Sequence, residues 1–363
     1  MSRSSIPPTD GSPVPARESS WQKAGTGELV IGGRKIKPGE TQEILLKISE
    51  FYTSNPVNIP LTVIRGHEPG PSVFLTAAIH GDELNGVEIV RSVIQELDHN
   101  KINGTLLCLP VVNRFGFLTH SRYLPDRRDL NRHFPGEPRG SSADRIAAII
   151  FMQVVANADY GMDFHTAAVG RTNLPHLRAD LSRREVRRLA RAFGTEVIVD
   201  KPGSPQSLRA ASVAAGVPAI LYEGGETFRF QRRNIRKGIA GSYNVLAALG
   251  MLPIPPKEPK LQVIVKKTEW VRAERGGILD LIAQPGELVY EHEELAVIEN
   301  PFGREVSTVV APFTGLVLGT TTRPMVSPGD AICHLAKLDR TLATVEKHLY
   351  ITASGRRRIP VDV

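Results

Sequence analysis

The feature that most constrains the fold is an alternation of strand-like and helix-like patterns between about residues 57 and 250. Short apolar runs typical of buried strands alternate with longer stretches in which apolar residues recur at helical spacing. The predicted strands are 59–65, 71–79, 104–112, 160–164, 195–200 and 217–223, and the predicted helices are 84–97, 142–157, 181–193, 205–215 and 233–249. This order predicts an α/β fold with a mostly parallel mixed sheet flanked by helices on both faces.

Composition divides the chain into five segments. Residues 1–25 are rich in Ser, Pro and Arg and lack the apolar stretch of a signal peptide, so we expect a disordered tail. Residues 26–252 form the larger predicted domain, with a β segment at its N-terminal end. A proline-rich linker at 253–260 leads to a predicted small all-β domain at 261–338, where short strands are punctuated by Gly and Pro, and 339–363 form a C-terminal tail.

The all-β segment resembles a biotinyl/lipoyl-type barrel, because 284–289 and 326–331 repeat one hairpin-like pattern. A carrier domain of that kind presents a lysine at the hairpin between Ile298 and Val310. Residues 299–304 read Glu-Asn-Pro-Phe-Gly-Arg instead. We therefore expect a lid or an interface element rather than a swinging carrier arm.

Two separated motifs indicate a catalytic zinc site. His80 and Glu83 lie in the run His-Gly-Asp-Glu, and His165 follows 82 residues after Glu83 in the run Asp-Phe-His. Two histidines and one glutamate leave the fourth position of a tetrahedral zinc ion free for water. Each motif lies at the end of a predicted strand, which is where open α/β sheets bind ligands. We therefore predict a zinc hydrolase with one zinc ion per chain.

The charge and hydropathy of the chain bear on its partners. The net charge of +7 could suggest nucleic acid, but the basic clusters at 183–191 and 229–237 alternate with apolar residues, which favours solvated helix faces. No run of about 18 apolar residues is present, so we expect no membrane-spanning helix. Cys108 and Cys333 fit reduced core residues. We expect a soluble, cytoplasmic protein without nucleic-acid or membrane partners. The sequence leaves open whether the protein forms a homo-oligomer.

Two polar segments near the motifs each allow two interpretations. Residues 121–136 are rich in arginine and histidine. They form either a solvated surface or, beside a zinc site, guanidinium groups that bind a carboxylate and stabilise an oxyanion. The segment 171–178 is either a surface loop or a wall of the substrate pocket.

The order of the polar motifs resembles that of the succinylglutamate desuccinylase/aspartoacylase family, which has a zinc carboxypeptidase-like fold. The motifs that carry the resemblance are His80-Gly-Asp-Glu83, Asn113-Arg114, Arg122-Tyr123, Asp129-Leu-Asn-Arg132, Asp163-Phe-His165 and Glu223-Gly-Gly. They occur in order within about residues 57–250, and the C-terminal β segment also fits the family's layout.

The resemblance implies roles for the residues around the zinc ion. The implied zinc ligands are His80, Glu83 and His165. Glu223 would be the general base and Arg122 would polarise the scissile carbonyl. Glu226 is the rival for the base, but the apolar run 217–222 leads directly into Glu223. Asp163 fits a residue that orients a ligand imidazole, or a further ligand.

The resemblance also implies a substrate and its binding residues. Asn131 and Arg132 would bind the substrate carboxylate, and Arg209 is similar to a further substrate-binding arginine, although its spacing to Glu223 is longer here. The expected activity is zinc-dependent hydrolysis of the amide bond of a small acidic N-acyl amino acid. A zinc carboxypeptidase acting on a small or isopeptide-linked peptide, and an inactive zinc-binding regulatory or interaction protein, are the alternatives.

Overall fold

The computed structural model of the chain describes residues 28–304 and 306–361. The disordered tail predicted at 1–25 lies outside these residues. The strands up to residue 225 are β1 (Leu29–Ile31), β2 (Arg34–Ile36), β3 (Glu40–Glu50), β4 (Pro56–Arg65), β5 (Ser72–Ala77), β6 (Thr105–Leu109), β7 (Tyr160–His165), β8 (Arg171–Ala179), β9 (Val197–Asp200) and β10 (Ala219–Gly225). The helices of this part are α1 (Leu84–Glu96), α2 (Arg114–Leu118), α3 (Ser142–Gln153), α4 (Arg184–Phe193), α5 (Leu208–Ala214) and α6 (Arg232–Ala248). Every strand and helix predicted in this part is present, with ends that differ by a few residues.

The large sheet is mixed, with its parallel strands in the middle. The order β6-β5-β7-β10 is parallel throughout. On one side β4 pairs antiparallel with β6 and with β3, and on the other β8 pairs antiparallel with β10. The expectation of a mostly parallel sheet is therefore wrong for the flanks. The connections from β3 to β4 and from β7 to β8 are short. A short connection reverses the direction of the chain, because two parallel strands need a long crossover between them.

Residues 171–179 form strand β8 and not the surface loop that the sequence left open. β8 pairs with β10 on one side and parallel with β9 on the other. Its sequence, Arg-Thr-Asn-Leu-Pro-His-Leu-Arg-Ala, contains a proline and several polar residues, which obscures the strand pattern. Several of those polar side chains face the site described below.

Helices cover both faces of the sheet, and strand periodicity explains how. Val73 and Leu75 of β5 belong to a core that also contains residues of α1, α4 and α6. Phe74, which lies between them, belongs to the opposite core with residues of α3 and α5. Successive side chains of a strand point to opposite faces, so β5 is buried on both sides and reads as a continuous apolar run.

The C-terminal strands continue the large sheet and form two further sheets. The elements are β11 (Val263–Val265), β12 (Thr268–Arg272), β13 (Gly277–Leu281), β14 (Leu288–Val289), β15 (Glu294–Glu299), β16 (Val306–Val310), β17 (Gly315–Thr321), β18 (Met325–Val326), β19 (Ala331–Lys337), α7 (Leu342–Glu346), β20 (Tyr350–Ile351) and β21 (Arg357–Arg358). β17 pairs antiparallel with β8, β19 with β17, and β12 with β19. A separate four-stranded sheet has the order β16-β15-β13-β18, and β20 pairs antiparallel with β21.

The two parts of the chain are therefore joined through backbone hydrogen bonds. β11 pairs with β9 as well, so the boundary drawn at 253–260 stays a prediction. The segment after residue 338, predicted as a tail, contains α7, β20 and β21, and Val345 and Ile359 are fully buried in a core with residues of β11 and β17.

Two smaller predictions concern the cysteines and membrane spans. Cys108 and Cys333 are both free and buried, and burial raises the pKa of each thiol to about 12. Among the described residues, no helix combines the length and hydropathy needed to cross a bilayer.

Candidate active site

The candidate site lies at the carboxyl ends of β5, β7 and β10. His80 and Glu83 lie in the connection from β5 to α1, and His165 is the last residue of β7. Glu223 of β10 is the register partner of His165 in the neighbouring parallel strand. Register partners lie about 4.8 Å apart and point to the same face. Strand pairing alone thus places Glu223 beside the predicted ligands.

The connection that carries His80 depends on a close approach of two backbone segments. A Cβ at Gly81 would lie 1.9 Å from the carbonyl carbon of Gly116. The Gly81 amide donates a hydrogen bond to the Ser121 carbonyl, at 3.0 Å. Asn113 accepts from the Gly116 amide and donates to the carbonyl of Arg122. A glycine is therefore needed at position 81, because only a residue without a Cβ lets the segment that carries Arg122 pack against the loop that carries His80.

His80, Glu83 and His165 form a buried cluster. Their candidate ligand atoms all lie within 4.8 Å of one another, and none of the three residues is more than 4% exposed. Oε1 of Glu83 lies 2.7 Å from Nδ1 of His80, and Oε2 lies 2.9 Å from Nδ1 of His165. The Thr166 amide donates to Oε2 and fixes the carboxylate.

The far nitrogen of each imidazole contacts a second carboxylate. Nε2 of His80 lies 3.1 Å from Asp129, and Nε2 of His165 lies 2.9 Å from Asp163. Asp163 also accepts a hydrogen bond from the hydroxyl of Thr76. Metal-binding histidines typically donate their second N–H to a carboxylate in this way. Asp163 thus contacts the Nε2 side of His165, and Asp129 contacts the Nε2 side of His80 in the same way. The contact between Asp129 and His80 was not predicted from the sequence.

The donor set fits a divalent metal ion. With Nε2–H directed at a carboxylate, a neutral imidazole turns the lone pair of Nδ1 towards an oxygen of Glu83. The Nδ1 lone pairs of His80 and His165 would then repel the two carboxylate oxygens of Glu83, unless a cation lies between the nitrogens and the oxygens. Burial lowers the pKa of both imidazoles, but the carboxylates outweigh it: Glu83 and Asp129 raise the pKa of His80, and Asp163 and Glu83 raise that of His165 well above its ordinary value. The cluster therefore favours positive charge at its centre.

Arg122 supplies a positive charge next to the same atoms. Its Nη1 lies 3.2 Å from Nδ1 of His80 and 3.4 Å from Glu83, and Nη2 lies 3.0 Å from Asp129. The side chain is about a quarter exposed, at 24%. The guanidinium group can therefore reach both the cluster and a molecule that enters from solvent.

Replacing Asp129 or Asp163 by asparagine is expected to weaken metal binding by about 10- to 100-fold, the usual effect of losing the carboxylate behind a ligand histidine. A competition titration with a coloured chelator measures the affinity. Asp126→Asn is the matched control, because Asp126 lies in the same loop as Asp129 and is partly exposed. Wild-type affinity in both the Asp129 and Asp163 variants would show that these carboxylates do not support a metal site.

Glu223 and Glu226 have different surroundings. Oε1 of Glu223 lies 3.2 Å from Nε of Arg178, and Oε2 accepts a hydrogen bond from Asn173 at 3.1 Å. Glu226 lies beyond the end of β10 and pairs with Arg229 at 2.9 Å. Asn173 and Arg178 both belong to β8. The structure therefore places Glu223, and not Glu226, in the row of side chains that contains His165.

The predicted substrate-binding residues lie in two places. Asn131 is buried and accepts the amide N–H of Leu208, which attaches its loop to the start of α5. Arg132 is exposed and donates to the carbonyl of Asn131. Arg209 is buried on α5 and donates to the carbonyl of Lys201. Arg132 thus belongs to the loop that carries Asp129, whereas Arg209 contacts the residue that follows β9.

Comparison with known proteins places this geometry in a family. Residues 69–249 match the model of the succinylglutamate desuccinylase/aspartoacylase catalytic domain. The N-alpha-acetyl-L-2,4-diaminobutyric acid deacetylase of Halomonas elongata is 26% identical over 302 residues, which span 79% of this chain and 87% of the relative.

Two solved structures have a similar fold. A succinylglutamate desuccinylase/aspartoacylase from Rhodobacter sphaeroides is 25% identical, with a TM-score of 0.75 over 83% of this chain and 96% of that chain. A product-bound ectoine utilization protein from Ruegeria pomeroyi is 24% identical, with a TM-score of 0.76 over 84% of this chain and 97% of that chain. The chain therefore belongs to the succinylglutamate desuccinylase/aspartoacylase family, a family of N-acyl amino acid deacylases.

Proposed function

We propose that the protein is a zinc-dependent deacylase that hydrolyses the amide bond of a small acidic N-acyl amino acid. The observation that carries the proposal is the buried cluster of His80, Glu83 and His165 with Glu223 on the adjacent strand. Two imidazoles and one carboxylate are a ligand set of catalytic zinc sites, which keep one position open. The family relation favours a deacylase over a carboxypeptidase, because the Halomonas elongata relative is a deacetylase of an N-acetyl amino acid.

The chemistry divides among a few groups. Zinc held by His80, Glu83 and His165 would lower the pKa of a bound water and polarise a carbonyl oxygen. Glu223 accepts a proton from the attacking water and returns it to the leaving nitrogen. Its contacts with Asn173 and Arg178 hold the carboxylate in one orientation. Arg122 stabilises the negative charge that develops on the carbonyl oxygen.

Substrate orientation is assigned to the loop beside Asp129 and to α5. Arg132 offers an exposed guanidinium fork to the carboxylate of the amino acid, and Asn131 keeps that loop against α5 through Leu208. A planar guanidinium binds a carboxylate through two hydrogen bonds, which an ammonium group cannot reproduce. Arg209 provides a second positive charge deeper in the protein.

Lysine substitutions should separate the two arginine roles. Arg132→Lys keeps the charge and loses the fork, so we expect mainly a higher KM, by about tenfold for one charged hydrogen bond of ~1.5 kcal/mol. Arg122→Lys should instead lower kcat by about 10²- to 10³-fold, as for the loss of one oxyanion partner. Steady-state kinetics with one N-acyl amino acid measure both. Arg128→Lys, an exposed change in the same loop, is the control, and unchanged kinetics in the first two variants would make the loop a solvated surface.

A substrate panel tests the proposed function. The zinc-loaded full chain is incubated with N-acetyl and N-succinyl amino acids and, in parallel, with peptides that end in Glu or Asp, and the release of free amine is measured. We expect hydrolysis of at least one N-acyl amino acid and none of the peptides. Cleavage of the peptides alone would make the protein a carboxypeptidase. No hydrolysis of any compound would contradict an enzymatic role.

A further inference from the structure

Strand β8 is irregular at the point where it runs beside Glu223. Glu223 of β10 lies opposite His176 of β8. Gly225, two residues later on β10, lies opposite Asn173, three residues earlier on β8. The strand β8 therefore contains one extra residue here, which is a β-bulge. Pro175 lies in this stretch, and a residue without an amide hydrogen is tolerated inside a sheet at such a bulge.

The bulge decides which face of the sheet Asn173 occupies. Successive side chains of a strand point to opposite faces, so in a regular strand Asn173 would point away from the face that carries His176. Directly opposed residues share a face, and Gly225 is two residues from Glu223, so the register shift turns Asn173 to the face of Glu223. The amide nitrogen of Asn173 donates to Oε2 of Glu223, at 3.1 Å. The contact between Asn173 and Glu223 therefore depends on the bulge.

The side chain of His176 stabilises the bulge. This residue is fully buried, and its Nδ1 lies 2.8 Å from the carbonyl oxygen of Leu174. Burial first, and then the charge of Arg178, lower the pKa of His176 to about 3, so the ring is neutral. A carbonyl oxygen can only accept a hydrogen bond, so Nδ1 carries the proton and donates it. This hydrogen bond fixes the backbone between Asn173 and His176.

Packing alone does not account for an imidazole at position 176. The Nε2 atom of His176 is buried and has no hydrogen-bond partner among the residues that the structure describes. A buried polar atom without a partner costs free energy. An apolar side chain would fill the same space without that cost. The contribution that an apolar side chain cannot make is the hydrogen bond to the carbonyl of Leu174.

The C-terminal strand β17 confines Asn173 from the other side. Gly319 is the register partner of Asn173 in the antiparallel pair of β17 and β8. A Cβ at Gly319 would lie 2.5 Å from Oδ1 of Asn173 and 2.8 Å from the carbonyl oxygen of Thr172. Both distances are too short for a contact between carbon and oxygen. The amide group of Asn173 thus lies between Glu223 and the backbone of Gly319, and only a glycine leaves room for it.

We infer that His176 and Gly319 are positioning residues for the reaction, and that they hold Asn173 in the orientation in which it donates to Glu223. The inference rests on the proposed function, because it takes Glu223 as the general base. A carboxylate that is held in one orientation is ready to accept the proton, whereas a carboxylate that rotates is misplaced in part of the molecules. Gly319 belongs to β17, so the C-terminal strands take part in the reaction through Asn173.

Two substitutions of His176 separate positioning from packing. His176→Leu removes the donor, and His176→Asn keeps an N–H donor close to the position of Nδ1. Both are assayed as the zinc-loaded full chain with the best N-acyl amino acid. We expect His176→Leu to lower kcat by about tenfold or more, the effect of losing one charged hydrogen bond, with KM and zinc content nearly unchanged. His176→Asn should restore most of the lost kcat.

Leu177→Val is the control for a loss of packing in the same strand. Leu177 is the next residue of β8, is fully buried and belongs to the core on the opposite face of the sheet. This variant should have a lower Tm and an unchanged kcat. A kcat in folded His176→Leu equal to that of the wild-type protein would overturn the role of His176.

Gly319→Ala tests the contact from β17. The added methyl group should displace the amide of Asn173 and lower kcat by a similar factor. Gly276→Ala is the matched change in the C-terminal part, because a Cβ there would meet no atom closer than 3.4 Å, and it should keep kcat. Asn173→Ala provides the background for double-mutant cycles, in which neither His176→Leu nor Gly319→Ala should lower kcat further. Additive losses would overturn the inference, since the two residues would then act by a route other than Asn173.

A measurement without substrate separates this inference from the proposed function. The full chain is labelled with ¹⁵N at asparagine, and the side-chain NMR signal of Asn173 is identified by its absence in Asn173→Ala. Asn173 is buried, and a buried N–H that donates to a carboxylate exchanges slowly with water. We expect this protection in the wild-type protein and in Leu177→Val, and its loss in His176→Leu and Gly319→Ala.

The outcomes of this measurement bear on the two proposals separately. The expected pattern in a protein that hydrolyses none of the substrates would sustain the positioning contacts and refute the deacylase. An Asn173 side chain that exchanges freely in the wild-type protein would refute the positioning role even if deacylation is observed.

Discussion

Replacing His80 or His165 by alanine is expected to remove zinc from the protein and to abolish deacylation. Either change leaves Glu83 and one imidazole, and two protein ligands hold the ion poorly against water. The change also leaves Asp129 or Asp163 without its imidazole partner. The zinc content, measured by elemental analysis after gel filtration, should fall from one ion per chain to the background level.

A matched histidine variant controls for general effects. His292→Ala removes a side chain that is 82% exposed and lies in the C-terminal part, and it should keep full zinc content and turnover. Thermal melts verify that each variant is folded. Full zinc content in a folded His80→Ala or His165→Ala variant would refute the assignment of that ligand.

The second large effect is expected for Glu223→Gln. The amide keeps the size of the side chain and one oxygen for Asn173, but it cannot accept a proton. We expect zinc to be retained and kcat to fall by about 10²- to 10⁴-fold, the range for general acid-base groups. An amine-release assay, stopped or continuous, measures kcat. Elemental analysis of the same samples measures the zinc content.

Glu226→Gln is the matched comparison for the base. Glu226 is paired with Arg229 beyond the end of β10, so its loss should change kcat much less. The reverse ranking would move the base to Glu226 and leave the metal ligands unaffected. Loss of zinc in Glu223→Gln would instead mean that Glu223 supports the metal.

The central fold could be predicted from sequence because burial and periodicity coincide there. β5 is buried on both faces and reads as one apolar run, while α1 buries Ile89, Val90 and Val93 at helical spacing. The positions of His80 and His165 followed from the same pattern, since both lie where a predicted strand ends. Their convergence into one cluster is a consequence of parallel pairing between β5 and β7.

The rest of the fold and of the site depends on tertiary contacts, which leave only weak patterns in the local sequence. β8 looked like a loop because its side chains serve the site: Asn173 and Arg178 both contact Glu223. Functional residues often depart from the pattern that their element favours. The approach of Asp129 to His80 and the pairing of β17 with β8 both join segments that are far apart in the chain. Neither could be read from periodicity.

The central claim is that a zinc ion held by His80, Glu83 and His165 is required for deacylation. The most direct measurement strips the full chain of metal with a chelator and titrates zinc back while bound zinc and turnover of an N-acyl amino acid are both recorded. Turnover should be lost on stripping and should rise in proportion to bound zinc until one ion per chain is reached. Undiminished turnover by the stripped protein would contradict the account.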